Sequence, residues 1–347
     1  ARRQRQMCIR DSYNSLTGAS RWNEPCVPVY TTGTSIDTGG QPRESLRTVY
    51  GRIDQDIDRA IELLEKARET TLAENNKSHI NLYVALGIKS RACLAEGDWD
   101  GAFKAAKRVI DEGGYAVGTK SDLTGGMNSL DKQNVMWGAG IQVADQAGGY
   151  AGFFTHMDNK EGAYAKSAPK LISKQLYNRI SATDIRRDWW DPSDKESPYV
   201  SKKFSFANVA SFLGDYIYMR VEEMYFTAAE AALRLDDLKS ARELMNTVMA
   251  ERDPGYSANN RSGTLLGATT TTWTGSFLEN ILTHRRIELW GEYGRLFDVR
   301  RLGQGIDRRT DDGFSEECIS MMNRRNVNIT KADTYDWVLT IPKAELD

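Results

Sequence analysis

Apolar residues recur at helical spacing in four segments of the chain. The first begins at Ser45, and its apolar residues lie three and four positions apart, as on one buried face of an α-helix. They are Val49, Ile53, Ile57, Ala60, Ile61 and Leu64. Ser45 is the predicted N-cap of this helix. The other segments cover approximately residues 81–110, 221–251 and 281–303, so the pattern predicts a mainly α-helical protein.

The second and third segments repeat each other at a constant offset of 139 residues. Each is interrupted by a turn, "EGDWD" in one and "LDD" in the other. The equivalent positions are Leu94 and Leu233, Trp99 and Leu238, Ala102 and Ala241, Val109 and Val248, and Glu112 and Glu251. Since small residues at Ala102 and Ala241 let two helices approach closely, we predict two tetratricopeptide-like helical hairpins.

Two long stretches lack helical periodicity. Residues 113–220 are rich in Gly, Asn, Ser and aromatic residues, and "PGYSANNRSGTLLGATTTTWTGS" separates the third and fourth helical segments. Short alternations such as "VMWGAGIQVA" are consistent with buried strands. Long loops inserted into a helical scaffold commonly carry the function, so we expect the ligand face there.

Composition and charge exclude several classes of protein. The net charge is −2 over 347 residues, so no excess of positive charge attracts the chain to nucleic acid or to an anionic membrane surface. The three histidines and four cysteines have no spacing typical of metal ligands, and we expect no metal and no cofactor. No apolar run approaches the ~20 residues of a membrane-spanning helix, and the opening residues lack the apolar region of a signal peptide. We treat residues 1–24 as an uncertain N-terminal segment, disordered or foreign to the fold, and residues 25–347 as one helical domain.

The arginine-rich segment "ILTHRRIELWGEYGRLFDVRRLG" resembles, at first sight, a helix that reads nucleic acid. Such a helix would carry unopposed positive charge, whereas acids here stand three positions from arginines. The predicted pairs are Arg285 with Glu288, Glu292 with Arg295, and Asp298 with Arg301. We therefore predict a structural network of ion pairs within one helix and its exit.

Aromatic residues among charges and prolines are the candidates for ligand binding. They are Trp189, Trp190 and Tyr199, flanked by Arg187 and Asp188, together with Trp273 in the second irregular block. Rings in such polar company often remain at the surface, where they can stack on a ligand; the alternative is that they pin the loop to the helical core. Nearby acids could serve a glycoside hydrolase, but no pair is singled out, and no nucleophile elbow or phosphate-binding loop occurs, so we predict no catalytic residue.

The order of motifs resembles the SusD/RagB family. The first matching stretches are "PVYTTGTSIDTGGQPRESLRTVYGRIDQDIDRAIELL" and "RACLAEGDWDGAFKAAKRVIDEGGYAV". "YMRVEEMYFTAAEAALRLDD" is similar through Arg220, Glu223, Tyr225, Ala229, Glu230 and Ala231. "HRRIELWGEYGRLFDVRRLG" and the final "IPKAEL" resemble the C-terminal signature. The resemblance implies a SusD-like fold of helical hairpins with long loop-rich insertions, from which an N-terminal part is missing.

The resemblance also implies a function. Members of the family are lipoproteins on the outer face of Gram-negative outer membranes, where they capture glycans or other nutrients above SusC-type TonB-dependent transporters. We therefore expect non-catalytic binding of an extracellular oligosaccharide or polysaccharide and its delivery to such a transporter. The family's signal peptide and lipid-bearing cysteine have no counterpart here, so localisation and a lipid anchor follow from the resemblance alone. The alternatives are a tetratricopeptide-type module that binds peptides and a glycoside hydrolase.

Overall fold

The structure, a computed structural model, describes residues 22–31, 33–35, 38–70, 76–142, 152–259 and 275–304. Helices α1 (Leu46–Thr70), α2 (Leu82–Glu96), α3 (Trp99–Glu112) and α4 (Lys120–Thr124) come first, followed by strand β1 (Val135–Ala139). We call the loop-rich residues 113–220 the insertion. It also contains helices α5 (Phe153–Met157), α6 (Ala163–Ser167) and α7 (Lys174–Tyr177), a 3-10 helix (Ile185–Trp189), and strands β2 (Trp190–Asp191), β3 (Val200–Ser201) and β4 (Tyr216–Arg220). Helices α8 (Val221–Arg234), α9 (Leu238–Ala250), α10 (Phe277–Glu288) and α11 (Arg295–Arg301) complete the described chain.

The two repeated hairpins are confirmed, and their turns are equivalent in detail. Helices α2 and α3 form one hairpin, α8 and α9 form the other, and α3 also packs against α8. Asp98 and Asp237 cap α3 and α9, each accepting a backbone N–H hydrogen bond at 3.0 Å. The preceding residues, Gly97 and Asp236, are both left-handed, with φ of 82° and 61°. Each turn therefore ends one helix and starts the next with the same backbone path.

The main hydrophobic core surrounds α8. Apolar residues of α2, α3, α9 and α10 pack against this helix, and Ala102 and Ala241 are fully buried, as close packing of the hairpins requires. Helix α1 is half-buried beside this core, and the Ser45 hydroxyl accepts the Thr48 N–H at 3.1 Å, as predicted for its N-cap. Strand β1 confirms the predicted buried strand and pairs antiparallel with β4, with Val135 opposite Arg220.

The insertion has a hydrophobic cluster of its own. Its members are Leu123, Met127, Phe154, Ile172, Leu176, Tyr177, Ile180, Trp189, Trp190, Phe204, Phe206 and Ile287. Ile287 belongs to α10, so the insertion packs directly on the helical scaffold. This packing holds the loop that carries Trp189 and Trp190 against the helical scaffold.

The arginine-rich segment is not a single helix with an exit, as the sequence predicted. Helix α10 ends at Glu288, and α11 begins at Arg295. Gly291 and Gly294 lie between them with φ of 75° and 118°, values that L side chains rarely adopt. The chain therefore turns between the two helices, which places Glu288 and Glu292 beside residues of the insertion.

Candidate functional site

Five of the six predicted ligand residues lie on one short segment of the insertion, which begins at the cap residue Asp184 and includes Tyr199. The Asp184 side chain accepts the Arg186 N–H and starts the 3-10 helix, which leads directly into β2. Strand β2 pairs antiparallel with β3, and the connecting loop contains a turn in which Asp194 accepts the N–H groups of Glu196 and Ser197. Local hydrogen bonds thus define the backbone path of this segment.

Trp189 and Trp190 are buried, so the expectation that these rings remain at the surface is wrong. Their exposed fractions are 2% and 1%, and the two rings meet edge to face at 5.8 Å. The Trp189 Nε1 donates to the Leu123 carbonyl at 2.9 Å, and the Trp190 ring also meets Trp290 edge to face. The free energy gained by burying these large apolar rings outweighs the polarity of their neighbours in sequence, because other apolar residues of the insertion complete a hydrophobic cluster around them. A ligand-binding role for either residue stays a prediction.

The other predicted residues are more accessible. Tyr199 is half-buried, has a φ of 67°, and contacts Tyr177 edge to face at 5.3 Å. The Arg187 guanidinium lies 4.3 Å from the centre of the Tyr177 ring, and its Nη1 donates to the Ile180 carbonyl. Asp188 is exposed. Trp273 lies outside the described residues, so its position relative to these side chains stays a prediction.

Three predicted residues, Arg187, Asp188 and Trp190, line one depression of about 460 Å³, which we call the Trp190 depression. Its other lining residues are Lys120, Tyr177, Ala182, Thr183, Asp184, Ile185, Asp191, Pro192 and Lys202. The structure thus adds Lys120, Lys202 and several others that sequence reasoning missed. Lys120 stands at the start of α4, far away along the chain, and no local pattern could have placed it at this site.

The Trp190 indole N–H is unusual among the buried polar groups. Its Nε1 is buried, yet it has no hydrogen-bond acceptor among the residues that the structure describes. A buried donor without a partner costs about 1–3 kcal/mol, so an oxygen atom from a bound molecule or from water would be stabilised there. Trp190 also lines the depression, so the residue with the unpaired N–H forms part of the cavity wall.

A buried network of ion pairs connects residues 184–203, which we call the site segment, to the helical scaffold. Glu288 accepts hydrogen bonds from Arg186, Arg220 and Arg252 at 3.0–3.1 Å. The Lys203 Nζ donates to the Glu288 and Trp290 carbonyls and to Glu292 at 2.5–2.8 Å. Arg186 precedes β2 and Lys203 follows β3, so both ends of the site segment are tied to the scaffold.

This network corrects two of the three ion pairs predicted from helical spacing. Asp298 and Arg301 do pair, at 2.8 Å. Arg285 instead binds Asp298 at 3.0 Å, and Glu292 binds Lys203 and Arg220. Glu292 and Arg295 do not pair because the turn between α10 and α11 interrupts the helix on which that spacing was based. Arg285 and Glu288 share α10, but tertiary packing gives each of them closer partners.

Burial and charge shift the titration of the network. Burial alone would raise the pKa of Glu288, but Arg252, Arg220 and Arg186 hold it well below its ordinary value. Burial lowers the pKa of Lys203 to about 8, although Glu292 acts in the opposite direction. These groups are saturated by protein partners, which indicates a structural rather than a ligand-binding role.

Comparison with known proteins identifies the family. Residues 156–347, more than half of the chain, match the sequence model of the SusD family, and the chain belongs to that family. A SusD-like carbohydrate binding protein from Bacteroides vulgatus ATCC 8482 is 28% identical with a TM-score of 0.72, and the match covers 88% of this chain and 62% of that one. A SusD superfamily protein from Bacteroides thetaiotaomicron VPI-5482 is 21% identical with a TM-score of 0.72, covering 96% and 72% of the two chains. No curated protein matches the sequence.

The comparisons confirm the predicted SusD-like helical fold, and the chain spans less than two thirds of the length of the Bacteroides vulgatus relative. The predicted boundary between residues 24 and 25 stays a prediction. Within the described residues, no helix is both long enough and apolar enough to cross a membrane.

Proposed function

We propose that this chain binds an extracellular carbohydrate without chemically changing it, and that the Trp190 depression is a sugar-binding site. The coincidence of an unpaired indole N–H with charged and polar side chains in one cavity carries the proposal. Sugars present many hydroxyl groups, so a site for them offers hydrogen-bond donors and acceptors in one cavity. The SusD-like relative from Bacteroides vulgatus is named a carbohydrate binding protein, which supports the same class of ligand.

The side chains of the depression suit hydroxyl recognition. Asp188 and Asp191 offer acceptors, whereas Lys120, Lys202 and Arg187 offer donors. Arg187 is fixed by Tyr177 and the Ile180 carbonyl, so little side-chain entropy remains to be lost when a ligand binds. A site with donors and acceptors of both charges favours a polar ligand without a strong net charge.

Delivery of the glycan to a SusC-type TonB-dependent transporter, on the outer face of an outer membrane, is the wider role that we propose. Membership of the SusD family supports it. Co-purification of the protein with a TonB-dependent transporter from outer membranes would test this role separately from ligand binding.

The experiment for the site combines polysaccharide affinity gels with two single variants. Asp188→Ala removes an exposed acceptor of the depression, so we expect about tenfold weaker retardation by the polysaccharide that the wild type binds best, with an unchanged melting temperature. Asp100→Ala, at an exposed position of α3 outside the depression, is the control and should bind like the wild type. Equal binding by both variants would place the ligand elsewhere.

The same polysaccharide gels distinguish the two alternative functions, a glycoside hydrolase and a peptide-binding module. A glycoside hydrolase would release reducing ends from the bound polysaccharide, whereas a carbohydrate-binding protein would not. A peptide-binding module would show no retardation by any polysaccharide. We expect retardation without release of reducing ends.

A further inference from the structure

A second depression, of about 840 Å³, lies next to the Trp190 depression. We call it the Val209 depression. Its walls come from residues 158–169 and 191–209, and its lining includes Phe204, Phe206 and Val209. Asp191 and Lys202 line both depressions, so the two cavities share one wall. Both volumes fall in the range of about 300–1,000 Å³ that is typical of small-ligand sites.

The Val209 depression has an apolar floor and an apolar edge. Phe204 and Phe206 are buried with 3% and 8% of their surface exposed, whereas Val209 is 43% exposed. Phe212 does not line the depression but packs behind its floor: the ring is 42% exposed, meets Phe206 edge to face at 5.9 Å, and has a φ of 52°. A left-handed phenylalanine is strained, so the loop holds this ring outward at an energetic cost.

Hydrogen bonds hold the opposite wall of the Val209 depression in place. The Asp158 carboxylate accepts the N–H groups of Lys160, Glu161 and Phe206 at 3.0 Å. Asn159 accepts the Lys170 N–H and donates to the Ser201 carbonyl, both at 2.8 Å. These side chains are satisfied by the protein itself, so the wall is rigid before any ligand arrives.

We propose that the two depressions are adjoining subsites for one oligosaccharide chain, which crosses the wall formed by Asp191 and Lys202. The proposal rests on the proposed function, since it assumes that the Trp190 depression binds a sugar. One sugar unit lies against the polar groups of the Trp190 depression. The following units lie on the apolar floor and edge of the Val209 depression, where ring faces meet Phe206 and Val209. The protein therefore distinguishes glycans by length as well as by the chemistry of one unit.

The test measures binding against a ladder of oligosaccharides, from disaccharide to hexasaccharide, prepared by partial hydrolysis of the polysaccharide that the wild type binds best. Affinity of the wild type should rise with length and then level off. Val209→Asp places a charge on the apolar edge, and should weaken binding of the longest oligosaccharides about tenfold while leaving the disaccharide unaffected. Asp188→Ala should weaken binding at every length. Leu63→Asp, at an exposed apolar position of α1, is the control for adding such a charge and should bind like the wild type.

The outcomes separate the two proposals. If no oligosaccharide or polysaccharide binds the wild type, the proposed function fails. If the ladder binds but Val209→Asp matches the wild type at every length, carbohydrate binding stands and the second subsite is wrong. An affinity that does not change with length, or an equal loss at all lengths in Val209→Asp, also overturns the second subsite. Melting temperatures of all variants identify any loss that is due to unfolding.

Discussion

Trp189 and Trp190 are adjacent in sequence and equally buried, but their indole N–H groups differ. The Trp189 Nε1 donates to the Leu123 carbonyl, whereas the Trp190 Nε1 has no acceptor within the described part of the chain. Trp189 therefore completes the fold of the insertion. We infer that Trp190 keeps a donor available on the side of the depression that it lines.

Replacing each tryptophan by phenylalanine tests this difference, since both changes keep an aromatic ring and remove an N–H. Trp190→Phe should weaken glycan binding up to about tenfold, because a bound oxygen atom loses its donor. Trp189→Phe should instead lower the free energy of unfolding by about 1–3 kcal/mol, because the buried Leu123 carbonyl loses its partner. Glycan retardation and urea unfolding of both variants provide the measurements. If the Trp190→Phe variant is fully folded and binds the glycan as tightly as the wild type, no ligand atom accepts a hydrogen bond from the Trp190 indole N–H.

At the scale of secondary-structure elements, the two hairpins make the same turn with different residues. Gly97 and Asp236 are equivalent left-handed residues, and each is followed by an aspartate that caps the next helix. Glycine adopts this conformation without a steric penalty, whereas aspartate has a Cβ atom that disfavours it. The second hairpin therefore carries strain that the first does not.

Asp236→Gly should raise the stability of the protein by up to about 1 kcal/mol by removing this strain. Asp237→Ala, at the next position, should do the opposite and cost about 1 kcal/mol, because α9 loses the side chain that accepts the Ser240 N–H. Chemical unfolding curves of the two variants give both free energies. A destabilised Asp236→Gly would mean that the aspartate side chain contributes more than its backbone strain costs.

The hairpins were predictable because their signals are local. The apolar spacing and the repeated acidic turn both lie within about 30 residues of sequence, and the four helices of the two hairpins form as predicted. The ion pairs of Arg285 and Glu292 were not predictable, because three-residue spacing is compatible with a pair but tertiary packing supplies closer partners. The burial of Trp189 and Trp190 depends on Phe204 and Ile287, which reach the cluster through the fold rather than through neighbouring sequence.

At the scale of the whole molecule, Glu288 lies between the helical scaffold and the insertion. Three arginines from different elements converge on its carboxylate, and every partner is fully buried. Salt screens such buried pairs much less than it screens pairs at the surface. Removing one partner leaves the others buried without compensation, which typically costs about 3–5 kcal/mol.

The network also predicts how stability changes with pH. The pKa values of Glu288, Glu292, Glu230 and Asp298 lie below their ordinary values in the folded protein, because arginine and lysine partners outweigh the effect of burial. On acidification the unfolded chain therefore binds protons first, and the stability that is fully present at neutral pH falls below about pH 5. We expect urea midpoints to stay constant from about pH 7 to about pH 5 and to decrease as the pH falls from about 5 to about 3, because unfolded carboxylates bind protons in that range.

Glu288→Gln identifies the source of this dependence. The variant keeps the shape of the side chain, so it should lower stability by roughly 3–5 kcal/mol at neutral pH and show a weaker decrease on acidification. Glu243→Gln, at an exposed ion pair of α9, is the matched control and should follow the wild type at neutral and at acidic pH. A Glu288→Gln variant as stable as the wild type would contradict a structural role for the network.

The loop between β2 and β3 is held from both sides, since Arg186 before it and Lys203 after it contact Glu288 or its neighbours. A proteolytic cut within this loop would leave two fragments that are each anchored in the same buried network, so they would stay associated. For the same reason the loop can gain, lose or exchange residues without releasing its ends. Its residues form part of the wall of both depressions. Changes in this loop can therefore alter which molecule is bound while the rest of the chain folds as before.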